Sequence, residues 1–205
     1  MSNPKTTILL IRHGETDWNA AGRWQGHSDI PLNENGRQQA QALAYKLAGW
    51  PIQAIYSSDL KRAKETADII ATPHQLNLIL DTDLRERHGG YFQGLVGTEI
   101  RTKYAREWKM LIEGHDVEGV ESNIALQERV WRAFEKIAAT HQGEMVAVVS
   151  HGGSLGLLIA KALGFTLGQR PRFTMRHNTG LSIVEIGENG PLVTLLNDGS
   201  HLSNL

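Results

Sequence analysis

The chain of 205 residues contains no cysteine. That absence removes disulfide staples, thiolate nucleophiles, CxxC redox chemistry and cysteine-based zinc or iron–sulfur sites, so any metal would rest on histidines and carboxylates. Charge of either sign is also not in excess: 21 Lys and Arg stand against 22 Asp and Glu, a formal net charge of −1. A chain so balanced carries no long-range field towards nucleic acid or an anionic membrane, and neither is expected as a partner. Long apolar runs are missing as well. Ile8-Leu9-Leu10-Ile11 runs straight into Arg12 and His13, too short for a secretory or membrane-spanning segment, and nothing longer follows. A cytoplasmic protein is expected.

What is there suffices for a globular fold. Hydrophobic residues make up 40% of the chain, enough at this length to bury a sizeable core, and there are 21 glycines and nine histidines. The β-branched and leucine run Ile8–Ile11 reads as a buried strand that ends in a loop at Gly14. Asn33 is a good N-cap for a helix through Ala40, Leu43, Ala44 and Leu47, with Gly49 placed as its C′ residue. Ala54-Ile55-Tyr56 is a second short strand. Ser57 and Ser58 offer caps, and Asp59 a first-turn carboxylate, for a helix through Ala63, Ala67 and Ile70 that Pro73 closes. Leu78-Ile79-Leu80 follows as strand three.

Residues 82–98 show no clean period and read as an irregular excursion on the active face; two helices follow, the clearer with Val130, Phe134, Ile137 and Ala138 on one side. Met145–Val149 is a Val-rich strand that leads through Ser150-His151-Gly152-Gly153 into a helix ending near Gly164. Leu181–Ile186 and Leu192–Leu196, split by Gly187-Glu188-Asn189-Gly190-Pro191, form a terminal hairpin. The alternation predicts an α/β fold: a three-layer α/β/α sandwich on a mostly parallel sheet with that hairpin at its end. One domain over residues 1–205 is expected, with an irregular and helical insertion at about 82–122.

Ligands of open parallel sheets sit beyond the carboxyl ends of the strands. The residues found there are Arg12, His13 and Gly14 after the first strand, Ser57 to Arg62 after the second, Arg85, Glu86, Arg87 and His88 after the third, and Ser150, His151 and Gly152 after the Val-rich one. Taken singly, a histidine at a strand end is most often structural and a surface arginine solvated. Cationic or imidazole groups after four strands, two of them beside glycines that open backbone N–H groups, suit the binding and transfer of a phosphoryl group. Trp18 and Trp24 lie near this mouth. Trp108 and Trp131 fall on helical segments and read as packing, and His27, His74, His115 and His141 as surface residues.

These segments resemble the histidine phosphatase superfamily in its phosphoglycerate-mutase-like branch. Leu10-Ile11-Arg12-His13-Gly14-Glu15-Thr16, continuing to Trp18-Asn19 and Gln25-Gly26, is similar to the signature around its nucleophilic histidine. Ser57-Ser58-Asp59-Leu60-Lys61-Arg62 resembles the segment of its second phosphate arginine, Leu84-Arg85-Glu86 its acid/base segment, and Val149-Ser150-His151-Gly152-Gly153 its second-histidine motif. Four motifs in order, over residues 6–201, make the resemblance specific.

It implies His13 as the nucleophile that becomes phosphohistidine, with its other ring nitrogen held by a backbone carbonyl. It implies Arg12, Arg62 and His151 around the phosphoryl oxygens, with Asn19, Gln25, Gly26 and the backbone of Gly152 binding substrate. Glu86 is implied as the acid that protonates the leaving group and then the base for water. No metal and no cofactor are implied, because cationic side chains supply the charge that Mg²⁺ supplies elsewhere. The expected partner is a small phosphorylated metabolite, and a homodimer follows family habit. Arg87 and His88 are further candidates for substrate contact, and Asn197-Asp198-Gly199-Ser200-His201-Leu202 is a segment the family often carries.

Hydrolysis is the expected activity, because a mutase closes its site against water with added segments and the stretch from Glu86 to His151 is short. The alternative is a phosphoglycerate mutase that depends on 2,3-bisphosphoglycerate. A remoter one is a serine hydrolase, since Gly152-Gly153-Ser154-Leu155-Gly156 fits the G-x-S-x-G elbow and Asp198 and His201 follow in order. Too little chain remains beyond Ser154 for that fold, and it leaves Arg12, His13 and Arg62 unexplained.

Overall fold

A computed structural model describes residues 5–166, 173–203 and 205; the remaining parts of the expected 1–205 domain lie outside the described residues. The apolar run before His13 forms strand β1 (Thr6–Arg12), in which Ile8, Leu9, Leu10 and Ile11 are all fully shielded from solvent. Consecutive rather than alternate burial means that both faces of the sheet are covered. A short helix α1 (Asp17–Ala20) carries a capping box between Thr16 and Asn19. Helix α2 (Glu34–Leu47) starts as expected, with the Asn33 side chain accepting the Gly36 N–H. It ends at Ala48 in a right-handed conformation, so Gly49 does not form the left-handed cap expected of it.

Strand β2 (Ile52–Ser57) leads to α3 (Lys61–Ala71), and here the expected caps are displaced. Leu60 is the N-cap, without a side-chain bond, because Ser58 still pairs through its N–H with Val149 of the neighbouring strand and Asp59 turns away to Arg85. Strand β3 (Leu78–Leu80) is followed by the excursion, which is less irregular than its sequence. It contains 3₁₀ turns at Thr82–Leu84 and Gly90–Phe92, then α4 (Gly97–Lys103) and α5 (Ala105–Ile112). Helix α6 (Asn123–Thr140), strand β4 (Met145–Ser150), helix α7 (Gly152–Ala162) and strands β5 (Leu181–Gly187) and β6 (Gly190–Asp198) complete the order.

The strands form one sheet ordered β3-β2-β4-β1-β5-β6, parallel from β3 to β1, with β5 antiparallel to β1 and β6 to β5. One face packs Leu9 and Ile11 against Leu43 and Leu47 of α2 and Ala67 and Ile70 of α3. The other packs Ile8 and Leu10 against Val130, Phe134 and Ile137 of α6 and Leu155, Leu158 and Ile159 of α7. Burying side chains of this size contributes about 1.5–3 kcal/mol each. The excursion has its own small core of Phe92, Ile100, Leu111, Val117 and Val120.

Register then does the work of assembly. Arg12 pairs with Ser150 and Ser57 with Val149, so the parallel strands β1, β2 and β4 end level and deliver His13, Ser58 and His151 to one edge. Among the described residues no helix is long and apolar enough to cross a membrane.

Candidate active site

Beyond that edge lies a cleft of about 590 Å³ lined at its floor by Arg12, His13, Asn19, Gln25, Gly26, Arg62, Glu86 and Gly152. Every expected site residue except His151 therefore faces the same space. His13 is buried, and its Nδ1 lies 2.7 Å from the Gly14 carbonyl. A carbonyl only accepts, so the proton is on Nδ1 and the lone pair on Nε2 is left free. Burial, reinforced by the charges of Arg62 and Arg12, holds the His13 imidazole well below the ordinary pKa of 6.5, which keeps it neutral and nucleophilic.

Arg62 has no exposed surface. Its terminal nitrogens donate to the carbonyls of Ser28 at 2.8 Å and Gly26 at 2.7 Å, and its Nε to Nδ1 of His151 at 3.2 Å. Burial lowers its pKa to about 10, which leaves it charged at neutral pH. Gly26 can turn its carbonyl to Arg62 because it sits at φ +52°, in the left-handed region. Arg12 donates from one terminal nitrogen to the carbonyls of Met175 and Arg176, whereas its buried Nε has no partner among the described residues. An unpaired buried donor beside His13 and Gly152 is a place for an anionic oxygen. Gln25 likewise presents a buried Oε1 without a partner, and Asn19 commits its Oδ1 to Thr16.

His151 is placed differently from expectation. It is wholly buried behind His13, with ring centroids 5.1 Å apart, and does not line the cleft. Its Nδ1 accepts from Arg62, so its Nε2–H donates to Ser58 Oγ at 2.9 Å, and burial with the Arg62 charge keeps the ring neutral. Glu86 accepts the N–H groups of Gly153 at 3.0 Å and Ser154 at 3.2 Å, at the positive end of α7, together with that of Arg87. A Cβ on Gly153 would lie 2.5 Å from Glu86 Oε1, so only glycine admits the carboxylate there.

Several further residues hold this floor, and no sequence motif marks them. Arg129 of α6 donates to the carbonyls of Asp83, Arg85 and Glu86 and grips Glu121 with two bonds of 2.8 and 2.7 Å. His27, expected on the surface, is half-buried and donates from Nε2 to the Glu86 carbonyl at 2.7 Å. His141, also expected there, bridges Glu144 and the Tyr56 hydroxyl. Arg85 pairs with Asp59, and the exposed His88 meets His27 edge-on outside the cleft lining. Arg87 does line it, while binding the Glu121 carbonyl and Asn123.

The upper walls come from Arg23, Trp24, Trp108, Leu111, Ile112, Asn123 and Met175. Trp108 thus has a face to the cleft as well as a packing role, whereas Trp18 stacks beneath Gly94. The serine-hydrolase alternative is overturned. Ser154 Oγ is buried and donates to the Arg85 carbonyl, Asp198 pairs with Lys46, and His201 bonds Thr179, so no triad exists. Among the described residues no group of three His, Asp or Glu side chains is placed to hold a metal ion.

A fold and floor of this kind define a class, and the sequence agrees: the chain belongs to the histidine phosphatase superfamily (branch 1), whose profile matches residues 8–199. It is 45% identical over 161 residues to phosphoglycerate mutase-like protein 4 of Arabidopsis thaliana, covering 76% of this chain and 70% of that one. It is 39% identical over 207 residues to a metal-independent phosphoserine phosphatase of the same plant, covering 98% and 84%. Among solved structures, a mutant phosphoserine phosphatase of Entamoeba histolytica in complex with phosphoserine superposes with a TM-score of 0.87 at 29% identity, covering 96% of this chain and 99% of that one.

Proposed function

We propose that the protein is a metal-independent phosphomonoesterase acting on small phosphorylated metabolites of the phosphoserine kind, with His13 as the covalent nucleophile. The observation that carries this is the 2.7 Å bond from His13 Nδ1 to Gly14, which leaves Nε2 free in a cleft shared with Arg12 and the buried Arg62. The Nε2 lone pair attacks phosphorus and the bond from phosphorus to the ester oxygen breaks, its electron pair leaving with that oxygen. Glu86, in the role of general acid, gives the leaving oxygen a proton. Water then attacks the phosphohistidine, Glu86 takes the proton from that water, and the N–P pair returns to Nε2. Arg12 and Arg62 neutralise charge on the equatorial oxygens throughout, the task that a metal performs in other phosphoryl transferases. Asn19, Gln25, Gly26 and the Gly152 N–H complete the binding floor.

In this reading His151 acts first on Arg62. Its Nδ1 can donate to a phosphoryl oxygen only after Arg62 Nε withdraws and Nδ1 takes up a proton. A phosphoglycerate mutase is the second reading, favoured by the name of the 45% identical relative. One experiment decides. A panel of phosphomonoesters, including phosphoserine and 3-phosphoglycerate with 2,3-bisphosphoglycerate, is assayed with and without EDTA for the wild type and His13→Ala. Chelator-resistant phosphate release that vanishes in His13→Ala is expected. Isomerisation outrunning release makes the enzyme a mutase, and metal-reversible loss in EDTA overturns the metal-independent mechanism.

A further inference from the structure

Behind His13 the chain makes a joint between residues 177–180 and 197–201 that the chemistry above does not use. Thr179 sits at φ +54° with no exposed surface. A β-branched residue in the left-handed region is strained and persists only where its surroundings over-determine it. Those surroundings are explicit. The Thr179 hydroxyl donates to the Asn178 carbonyl at 2.7 Å, so with its proton committed it accepts from His201 Nε2 at 2.9 Å. His201 therefore carries its proton on Nε2, and its Nδ1 is buried without a partner.

The strained turn directs two donors at one acceptor. The Thr179 N–H reaches the His13 carbonyl at 3.3 Å and the Asn178 amide reaches it at 3.0 Å, with a longer approach to Asn19 Oδ1 at 3.4 Å. On the other side of the same residue the His13 N–H donates to Ser150. The joint is tight: a Cβ on Gly180 would lie 2.4 Å from Asn197 Oδ1, and one on Gly199 would lie 3.0 Å from the His177 ring. Lys46 of α2 clamps its outer side through Asp198 and Ser200.

We propose that Thr179 and His201 are positioning residues for His13: His201 holds the Thr179 hydroxyl, which holds the strained turn, which fixes the His13 backbone and with it the aim of Nε2. The inference rests on His13 as the nucleophile. Neither residue lines the cleft, so each acts on the rate of attack and not on binding. Misplacing a reacting group by about 1 Å costs up to about 10²-fold in rate.

The test uses the full-length enzyme, p-nitrophenyl phosphate as probe, and rapid-quench measurement of acid-labile phosphoenzyme beside steady-state kinetics and melting temperature. Thr179→Val keeps the shape and removes the hydroxyl. Phosphohistidine formation about 10- to 100-fold slower, with KM within about two-fold of wild type, is expected. Thr179→Ser restores most of the rate. His201→Leu reproduces the loss, His201→Gln regains part of it through its amide N–H, and the double variant Thr179→Val/His201→Leu is no slower than either single change. Phosphohistidine formed at the wild-type rate in Thr179→Val overturns the proposal, as does a raised KM at unchanged rate. If Thr179→Val does not fold, a wild-type rate in folded His201→Leu overturns it equally. Absence of any phosphoenzyme in the wild type removes the nucleophile itself and sinks the underlying reading with it.

Discussion

Arg62 Nε donates to His151 Nδ1 across 3.2 Å, and both side chains are buried. A guanidinium cannot accept, so the pair exists only while the imidazole is neutral, and the free enzyme holds a charged arginine beside an uncharged histidine. A dianionic oxyanion that draws Arg62 Nε away frees Nδ1 and favours its protonation. Sulfate, which does not titrate near neutrality, is expected to bind with uptake of a proton at pH 7. Calorimetry in buffers of different ionisation enthalpy measures this, and identical heats would count against it.

Gly153→Ala forces its methyl against Glu86 Oε1, a flexible end that moves more cheaply than the helix. The expected result is a melting temperature within a few degrees of wild type and kcat lower by about 10- to 100-fold, as befits a displaced general acid. Unchanged kcat would show that Glu86 works from another position.

Arg129→Leu strips three carbonyls of the acid loop of their donor and leaves Glu121, whose carboxyl Arg129 holds below its usual range against the penalty of burial, without its hydrogen-bonded cation. Breaking a shielded pair of this kind costs about 3 kcal/mol. Denaturant melts and kcat should fall together. Adding Glu121→Leu should recover stability and leave kcat low, because the loop carbonyls stay unsupported.

Acid should weaken the fold before the carboxylates of the surface titrate. Burial depresses the pKa of His13 and His151 well below 6.5 and that of His201 to about 4. The unfolded chain binds these protons near pH 6.5 and the folded one does not, so stability is full above about pH 6.5 and declines as pH falls towards 4. Thermal melts between pH 7.5 and 4.5 check this, and a flat profile would contradict it.

The elements that position His13, Arg62 and Glu86 were legible because their information is local. Ile8–Ile11 announces a doubly covered strand, and a polar run directly after it lies at the sheet edge wherever the strand goes. The roles of Arg129 and His27, the latter expected on the surface, are not legible in the sequence for the opposite reason. Their partners are the main-chain carbonyls of a loop distant in sequence, and a carbonyl leaves no trace in residue identity. Trp108 read as packing because helical spacing cannot tell a core from the wall of a cleft when one indole touches both. Ser58 is not the cap its sequence suggests: its hydroxyl accepts from His151 and from the N–H of Leu60, and Leu60, the N-cap of α3, makes no side-chain bond.

The strand order carries a consequence for synthesis. β1 and β2 are made early yet never touch; the place between them is kept for β4, which leaves the ribosome only after the whole excursion and α6. Until then two apolar strands have unpaired edges and no common sheet, the condition under which nascent chains associate with one another. A message cut short before β4 would therefore yield no smaller enzyme, only a chain in need of a chaperone, and the nucleophile made near its start stays idle until the last third of the protein arrives.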